Sequence, residues 1–227
     1  MSPGVWKAVF AFCFTVLGLL TARADGTVST RTSPWPGSFV ARVEALALLQ
    51  TLNAELLTNS SATLTLENWC DIHHLATPAK IIAERVMDVE KPASAEQRLE
   101  LAVTPTEPLR YRRVKLLCGT VVLSEADNWY VPARLTPDMN RLLDTTNTPF
   151  GKAVQALHFL RHTLSSKLLW LPLPEGWEMN ARAKDTPFLT IPPYVLEHRA
   201  VLSLADGTPF SEVVETYTAN VLGFSAP

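Results

Sequence analysis

The chain has 227 residues, 47% of them hydrophobic, and its 20 basic and 22 acidic residues give a formal net charge of −2. This length and apolar content suit a globular core and exclude an intrinsically disordered chain. A mildly acidic chain with no basic run has no general attraction for nucleic acid, so we expect no nucleic-acid partner.

The first 24 residues have the pattern of a secretory signal peptide. Lys7 precedes an apolar run from Ala8 to Leu20, and small residues follow at Ala22 and Ala24. This pattern predicts cleavage after Ala24 and export to the periplasm or the cell exterior. The alternative, an uncleaved membrane anchor, needs about 20 apolar residues, and the run is shorter. We expect no membrane span after signal removal and a flexible leader over residues 25–37.

Residues 38–227 are predicted to form a single domain that begins with two helices. Ser38 can cap a helix from about Phe39 to Leu57, where apolar residues recur at helical spacing. Ser61 can cap a shorter helix over Ala62 to Asp71.

The next part of the chain has strand patterns. Ile81 to Val89 predicts a strand and Lys91 to Gln97 a loop. Polar and apolar residues then alternate from Tyr111 to Leu117, and Cys118-Gly119 is a turn signal. With the apolar segments that follow up to Val131, these residues predict an antiparallel meander.

Helix signals return before a final hairpin. The predicted elements are helices over Thr136 to Leu143 and Lys152 to Leu160, a strand over Lys167 to Leu171, and a long loop over Pro172 to Pro193. Two further strands, Val195 to Leu204 and Phe210 to Tyr217, flank Asp206-Gly207, a hairpin turn signal. This order of elements predicts an α+β fold in which helices pack on an antiparallel β-sheet.

The cysteine and histidine residues give few chemical signals. Cys13 lies in the signal segment, so Cys70 and Cys118 remain, either as a disulfide in an oxidising compartment or as two buried thiols. His158 and His162 have i, i+4 spacing on the predicted helix. No third ligand is near them in sequence, so we predict no metal site.

Charged residues on two predicted strands indicate a functional site. Arg112 and Arg113 are consecutive, so one of them must face the covered side of the sheet or both lie near its edge. A buried arginine needs an anionic partner, which is either a protein carboxylate such as Glu215 or a ligand carboxylate held by two parallel hydrogen bonds. The pattern alone leaves a structural salt bridge and a ligand site open.

Four segments, in order, resemble motifs of the chorismate pyruvate-lyases. They are Ser61-Ala62-Thr63, Arg113-Val114-Lys115-Leu116-Leu117-Cys118-Gly119, Asn147-Thr148-Pro149-Phe150-Gly151 and Gly207-Thr208-Pro209-Phe210-Ser211-Glu212-Val213-Val214-Glu215. The chain departs from the family pattern where Ala62 replaces a methionine, Phe150 a leucine and Val214 a threonine. The family is intracellular, where chorismate is made, so an exported member is expected to meet a different ligand.

The resemblance implies a chorismate lyase-like fold that cleaves chorismate to 4-hydroxybenzoate and pyruvate without a metal or organic cofactor. It implies that Glu215 is the catalytic acid/base and that Arg113 clamps the ring carboxylate. Ala62, Phe150 and Gly151 would line the substrate site, with the amides near Phe150 and Gly151 binding the far end of the ligand.

Three functions remain open at this stage. The first is a carbon–oxygen lyase acting on chorismate or a related enol-ether acid. The second is a non-catalytic, sensor-like domain that binds a small anionic ligand such as 4-hydroxybenzoate, and the third is an interaction protein without a pocket. The presence of both Arg113 and Glu215 favours the first two. We expect the protein to be a monomer.

Overall fold

The structure is a computed structural model that describes residues 1, 35–182 and 184–224. The α-helices are α1 (Phe39–Thr58), α2 (Ala62–Ile72), α3 (Ala95–Glu100), α4 (Pro137–Thr145) and α5 (Phe150–Ala153). The β-strands are β1 (Ile81–Arg85), β2 (Arg110–Cys118), β3 (Val121–Tyr130), β4 (Leu160–Leu168), β5 (Tyr194–Ser203) and β6 (Pro209–Thr218).

The first two helices begin at the predicted capping residues. The Ser38 side chain accepts a hydrogen bond from the amide of Ala41 at the start of α1. The Ser61 side chain accepts one from the amide of Leu64 at the start of α2. Each serine satisfies a helix-terminal amide that has no partner within its own helix.

All six strands join one antiparallel sheet in the order β1-β2-β3-β6-β5-β4. One face of this sheet, here called the inner face, packs against α1 and α2. The buried side of α1 consists of Ala41, Ala45, Leu49, Leu52 and Leu56. The predicted α+β class with an antiparallel sheet is therefore confirmed.

A disulfide joins α2 to the sheet. Cys70, near the end of α2, is bonded to Cys118, the last residue of β2, and their Cα atoms are 6.5 Å apart. Both cysteines are fully buried in the main core cluster. The structure thus contains the bridge rather than two separate thiols.

Two predicted segments differ from the structure. The predicted loop over Lys91 to Gln97 runs into α3, where Ser94 and Gln97 form a capping box by bonding each other's backbone amides. The predicted helix over Lys152 to Leu160 ends at Ala153, and β4 begins at Leu160. The predicted strand over Lys167 to Leu171 overlaps only the end of β4, and the rest of this edge strand was missed because its mostly exposed residues lack clear alternation.

The predicted leader also ends earlier than residue 37. Trp35 is fully buried, and its indole nitrogen donates a hydrogen bond to the backbone oxygen of Leu222. The core therefore includes residues before Ser38. Residues 2–34, which hold the predicted signal peptide and most of the leader, lie outside the described residues. In the described ranges, no helix has both the length and the apolar character to cross a bilayer.

Candidate functional site

A small cavity of about 40 Å³, here called the closed cavity because it is too small for a ring-sized ligand, lies between the inner face of the sheet and the starts of α2 and α5. Apolar side chains form much of its wall, namely Val114, Leu116, Ala126, Phe150, Leu202 and Val213. The polar residues at the wall are Ser60, Ser61, Thr63, Arg112, Asn128, Arg161 and Glu215. An apolar cavity with a few convergent charged groups has the composition of a small-molecule site.

Arg112 supplies a buried guanidinium that has no carboxylate partner among the described residues. The residue is 6% exposed, and its Nη2 donates to the backbone oxygen of Thr148 at 3.1 Å. Its Nε is buried and has no hydrogen-bond partner. Burial, together with the nearby charge of Arg85, lowers the pKa of Arg112 to about 10. Arg112 therefore remains charged at neutral pH but lacks the counter-ion that a buried charge normally has.

Glu215 lies on the same wall and already has a cationic partner. Its Oε2 accepts hydrogen bonds from Nη2 of Arg161 at 2.6 Å and from the hydroxyl of Tyr217 at 3.3 Å. The side chains of Arg161 and Glu215 are 5% and 7% exposed. No described residue bonds to Oε1 of Glu215, so that oxygen can accept a hydrogen bond from a ligand.

Burial shapes the titration of the groups around Glu215. Burial raises the pKa of Tyr217 well above its ordinary value, so the phenol keeps its proton and can donate it to Glu215. Burial alone would lower the pKa of Arg161, but the charge of Glu215 raises it overall. The Arg161–Glu215 pair is therefore a fixed, internally neutral part of the wall at physiological pH.

The prediction that Arg113 shares a hollow with Glu215 is wrong. The Nη2 of Arg113 binds Glu125 at 2.9 Å and its Nη1 binds Asp127 at 3.4 Å, on the opposite face of the sheet. Successive residues of a strand point to opposite faces. Arg112 therefore shares the inner face with Val114, and Arg113 has the carboxylate partners of a structural salt bridge.

The structure brings the other predicted site residues together at the cavity. Ala62, Phe150 and Gly151 all line it. The Phe150 ring packs near Tyr130 and Phe210, with centroids 5.5 and 6.3 Å away. Gly151 makes a close approach to α2, because a Cβ added there would lie 3.3 Å from Oγ of Ser61.

A second hollow of about 200 Å³ adjoins the cavity. It shares Ser60, Ser61, Gly151 and Phe159 with the cavity wall. Its remaining lining includes Lys152 and His158. The four shared residues line both the closed cavity and this outer hollow and are here called the partition.

The sequence analysis did not assign two cavity residues, Arg112 and Arg161, to the site, although it named Arg112 as one of two arginines that could face the covered side. Along β2, Arg112 lies on the same face as the apolar Val114 and Leu116, whereas Arg113 lies on the same face as Lys115. This alternation indicates that Arg112 is the arginine on the inner face. Arg161 gave no such signal because the segment just before it was predicted as a helix.

The two histidines of the predicted i, i+4 spacing are not on one helix. His158 has a left-handed backbone conformation, with φ of 47°, after a short 3₁₀ turn. His162 lies on β4. Across the described part of the chain, no three His, Cys, Asp or Glu side chains are grouped to hold a metal ion.

The fold and the cavity define an α+β protein with a candidate small-molecule site, and sequence comparison gives the family. No known family model matches the chain. The chain is 54% identical over 219 residues to the uncharacterized protein y4mC of Sinorhizobium fredii, a match that covers 94% of this chain and 92% of y4mC. The chain therefore belongs to the same family as y4mC.

Several solved structures are similar to the chain at low identity. PhnF from Mycobacterium smegmatis has a TM-score of 0.46 at 10% identity, covering 88% of this chain and 93% of that one. The effector domain of the same PhnF has a TM-score of 0.45 at 12% identity, covering 71% and 90%. A GntR-family transcriptional regulator from Enterococcus faecalis has a TM-score of 0.40 at 14% identity, covering 64% and 99%. Likenesses at this level do not assign a ligand to the cavity.

Proposed function

We propose that the chain binds a small aromatic carboxylate in the closed cavity, with Arg112 as the carboxylate clamp. The observation that carries this proposal is the buried guanidinium of Arg112, which has no protein carboxylate beside it. A buried charge without a counter-ion is costly. A ligand carboxylate supplies that counter-ion and can form two parallel hydrogen bonds to the guanidinium.

The charge of the cavity fits a monoanion. Arg161 and Glu215 neutralise one another at 2.6 Å, which leaves Arg112 as the uncompensated charge on the described wall. A single carboxylate balances that charge. The two carboxylates of chorismate would bring one negative charge more than this wall compensates.

The far side of the cavity fits a hydroxyl group. The free Oε1 of Glu215 can accept a hydrogen bond, and the apolar side chains of Phe150, Leu202 and Val213 can contact an aromatic ring. 4-Hydroxybenzoate has a carboxylate and a hydroxyl at opposite ends of a ring. The resemblance to the chorismate pyruvate-lyases supports the same ligand class.

Ligand entry requires the partition to open. A cavity of about 40 Å³ is far smaller than the roughly 150 Å³ cavity that accepts benzene in an engineered protein. The outer hollow of about 200 Å³ lies directly behind Ser60, Ser61, Gly151 and Phe159. Displacement of these residues would join the two spaces into one volume of ligand size.

The binding proposal is tested by titrating the protein with 4-hydroxybenzoate in a calorimeter. Arg112→Gln is expected to weaken binding by about tenfold or more, because a charge-assisted bidentate pair is lost. Arg113→Gln is the matched control, since it removes the same charge one residue away on the opposite face. Equal affinity for the wild type and Arg112→Gln would contradict the proposal.

A second candidate function is cleavage of chorismate. In that reaction the bond between the ring and the enolpyruvyl oxygen breaks, a ring proton leaves as the ring becomes aromatic, and the released enolate takes up a proton on carbon to become pyruvate. The free oxygen of Glu215 in the cavity favours this candidate, because a carboxylate there can accept or return that proton. Formation of 4-hydroxybenzoate from chorismate, lost in Glu215→Gln, would support the lyase. Tight binding of 4-hydroxybenzoate without turnover would support the non-catalytic role.

We also propose that the protein is exported. The A-x-A pattern at Ala22 and Ala24 supports export, and the bridge between Cys70 and Cys118 suits an oxidising compartment. Mass spectrometry of the protein from the extracytoplasmic fraction should find Asp25 as its first residue. Recovery of the protein only from the cytoplasm, with Met1 retained, would contradict export.

A further inference from the structure

A second concave site, here called the arginine groove, lies at the end of the inner face beyond Arg112. Its volume is about 360 Å³, much larger than that of the closed cavity. It lies between the ends of β1 and β2, the end of α4 and the segment 86–90. Arg112 lines both the closed cavity and the groove.

Four arginines line the groove, namely Arg85, Arg110, Arg112 and Arg113, together with three acidic residues, Asp88, Glu90 and Asp144. The Nη1 of Arg110 binds Oδ2 of Asp144 at 2.5 Å, and Arg85 donates to the backbone oxygen of the same aspartate. Arg112 has no carboxylate partner. The other acidic residues at the rim, Asp88 and Glu90, are exposed and form no ion pair in the described structure.

Two of the four arginines have no carboxylate in direct contact among the described residues. Arg110 is paired with Asp144, and Arg113 is paired with Glu125 and Asp127, which leaves Arg85 and Arg112. Arg112 is 6% exposed and its Nε lacks any partner. Burial and the charge of Arg85 both lower the pKa of Arg112 to about 10, as expected where guanidinium groups repel one another. Arg85 and Arg112 are therefore the two arginines that a ligand anion can pair with, and Asp88 and Glu90 line the same groove.

We propose that the arginine groove binds a phosphate monoester, with its dianionic phosphate group among Arg85, Arg110 and Arg112. A phosphate monoester carries nearly two negative charges at pH 7, and guanidinium groups match its geometry with paired hydrogen bonds. The organic part would contact the apolar side of the groove, where Met87 and Val89 are 61% and 41% exposed.

This site is separate from the proposed aromatic carboxylate site except for Arg112. Arg110 borders the groove and does not line the closed cavity. Substitution of Arg110 therefore tests the groove alone. Arg85 is a less suitable target because its bond to the end of α4 also has a capping role.

The test titrates the full-length protein with phenyl phosphate and, separately, with inorganic phosphate at constant ionic strength and pH 7.5. We expect saturable binding that Arg110→Gln weakens by about tenfold, through loss of one charge-assisted contact. Arg141→Gln, an equal charge change on the exposed side of α4, should alter affinity less than twofold. Affinity for 4-hydroxybenzoate should be unchanged in Arg110→Gln.

Each outcome has a defined meaning. Tighter binding of phenyl phosphate than of inorganic phosphate supports the monoester, and the reverse order would overturn that part and assign free phosphate. Equal losses in Arg110→Gln and Arg141→Gln, or no saturable binding, would overturn the groove. If the protein binds phenyl phosphate but not 4-hydroxybenzoate, the proposal for the closed cavity is contradicted and the proposal for the arginine groove stands.

Discussion

His198 is a fully buried imidazole beside the wall of the closed cavity. It pairs with Glu215 across β5 and β6, and its Nε2 contacts Oδ1 of Asn53 at 2.8 Å. Burial lowers the pKa of His198 to about 4, despite the opposing charge of Glu215. The ring is therefore neutral at pH 7, with Nε2 as the donor to Asn53.

This shift makes the stability of the protein depend on pH. Between pH 6.5 and 4 the unfolded state binds a proton at His198 and the folded state does not, so stability falls as pH falls through this window. The effect reaches about 3 kcal/mol at its lower end. Urea unfolding at several pH values should show a flatter profile for His198→Gln, whose amide can still donate to Asn53.

His162→Gln is the control for that experiment, because His162 is exposed on β4. Its unfolding profile should run parallel to that of the wild type. A profile for His198→Gln as steep as the wild type's would show that folding does not lower the pKa of His198.

At the level of single residues, the sequence contained the information to choose between Arg112 and Arg113 as the cavity arginine, but the wrong one was chosen. The sequence indicated that one of Arg112 and Arg113 faces the covered side or that both lie near the sheet edge, and it correctly placed Glu215 on a strand. The motif match then selected Arg113, whereas the alternation of β2 places Arg112 with Val114 and Leu116. Side-chain parity is a local property of the strand, so it was available from the sequence. The Arg161–Glu215 pair could not be predicted in this way, because it joins β4 to β6, two strands that β5 separates in the sheet.

At the level of elements, capped helices were easier to predict than the edge strand. Ser38 and Ser61 mark the starts of α1 and α2 by local chemistry, and α3 has an equally local capping box at Ser94 and Gln97 that was overlooked. β4 is held by its pairing with β5, a long-range contact. The residues of β4 lack the regular alternation from which a strand is predicted, so its pairing with β5 has to be known.

Gly151 gives an element-level prediction, because it sets how closely α5 approaches α2. A Cβ there would lie 3.3 Å from Oγ of Ser61 and 3.7 Å from Oγ1 of Thr63. We expect Gly151→Ala to be tolerated with a small shift. Gly151→Val should slow association of 4-hydroxybenzoate by roughly tenfold in stopped-flow measurements, since the branched side chain thickens the partition. Unchanged association in Gly151→Val would place the entrance elsewhere.

For the whole molecule, the disulfide is the main covalent constraint in the described chain. Cys70 and Cys118 are 48 residues apart in sequence, and their bond restricts the unfolded chain. Cys70→Ala with Cys118→Ala should lower the free energy of unfolding by about 3–4 kcal/mol and the Tm by about 10 °C. Calorimetry with and without reductant measures both values.

Reductant serves as the internal control for the disulfide. It should lower the Tm of the wild type towards that of the double variant and leave the double variant unchanged. A reductant effect of equal size in both proteins would mean that the bridge contributes nothing to stability.

Trp35, at the start of the described range 35–182, contacts residues near the end of the range 184–224. Trp35 donates to the backbone oxygen of Leu222, and its ring lies 5.8 Å from that of Phe224. A fragment begun at Ser38, where the first helix is capped, would lack this indole and leave a void between α1 and the last turn of the chain. Truncation at this helix boundary would therefore remove contacts that hold Leu222 and Phe224 in place.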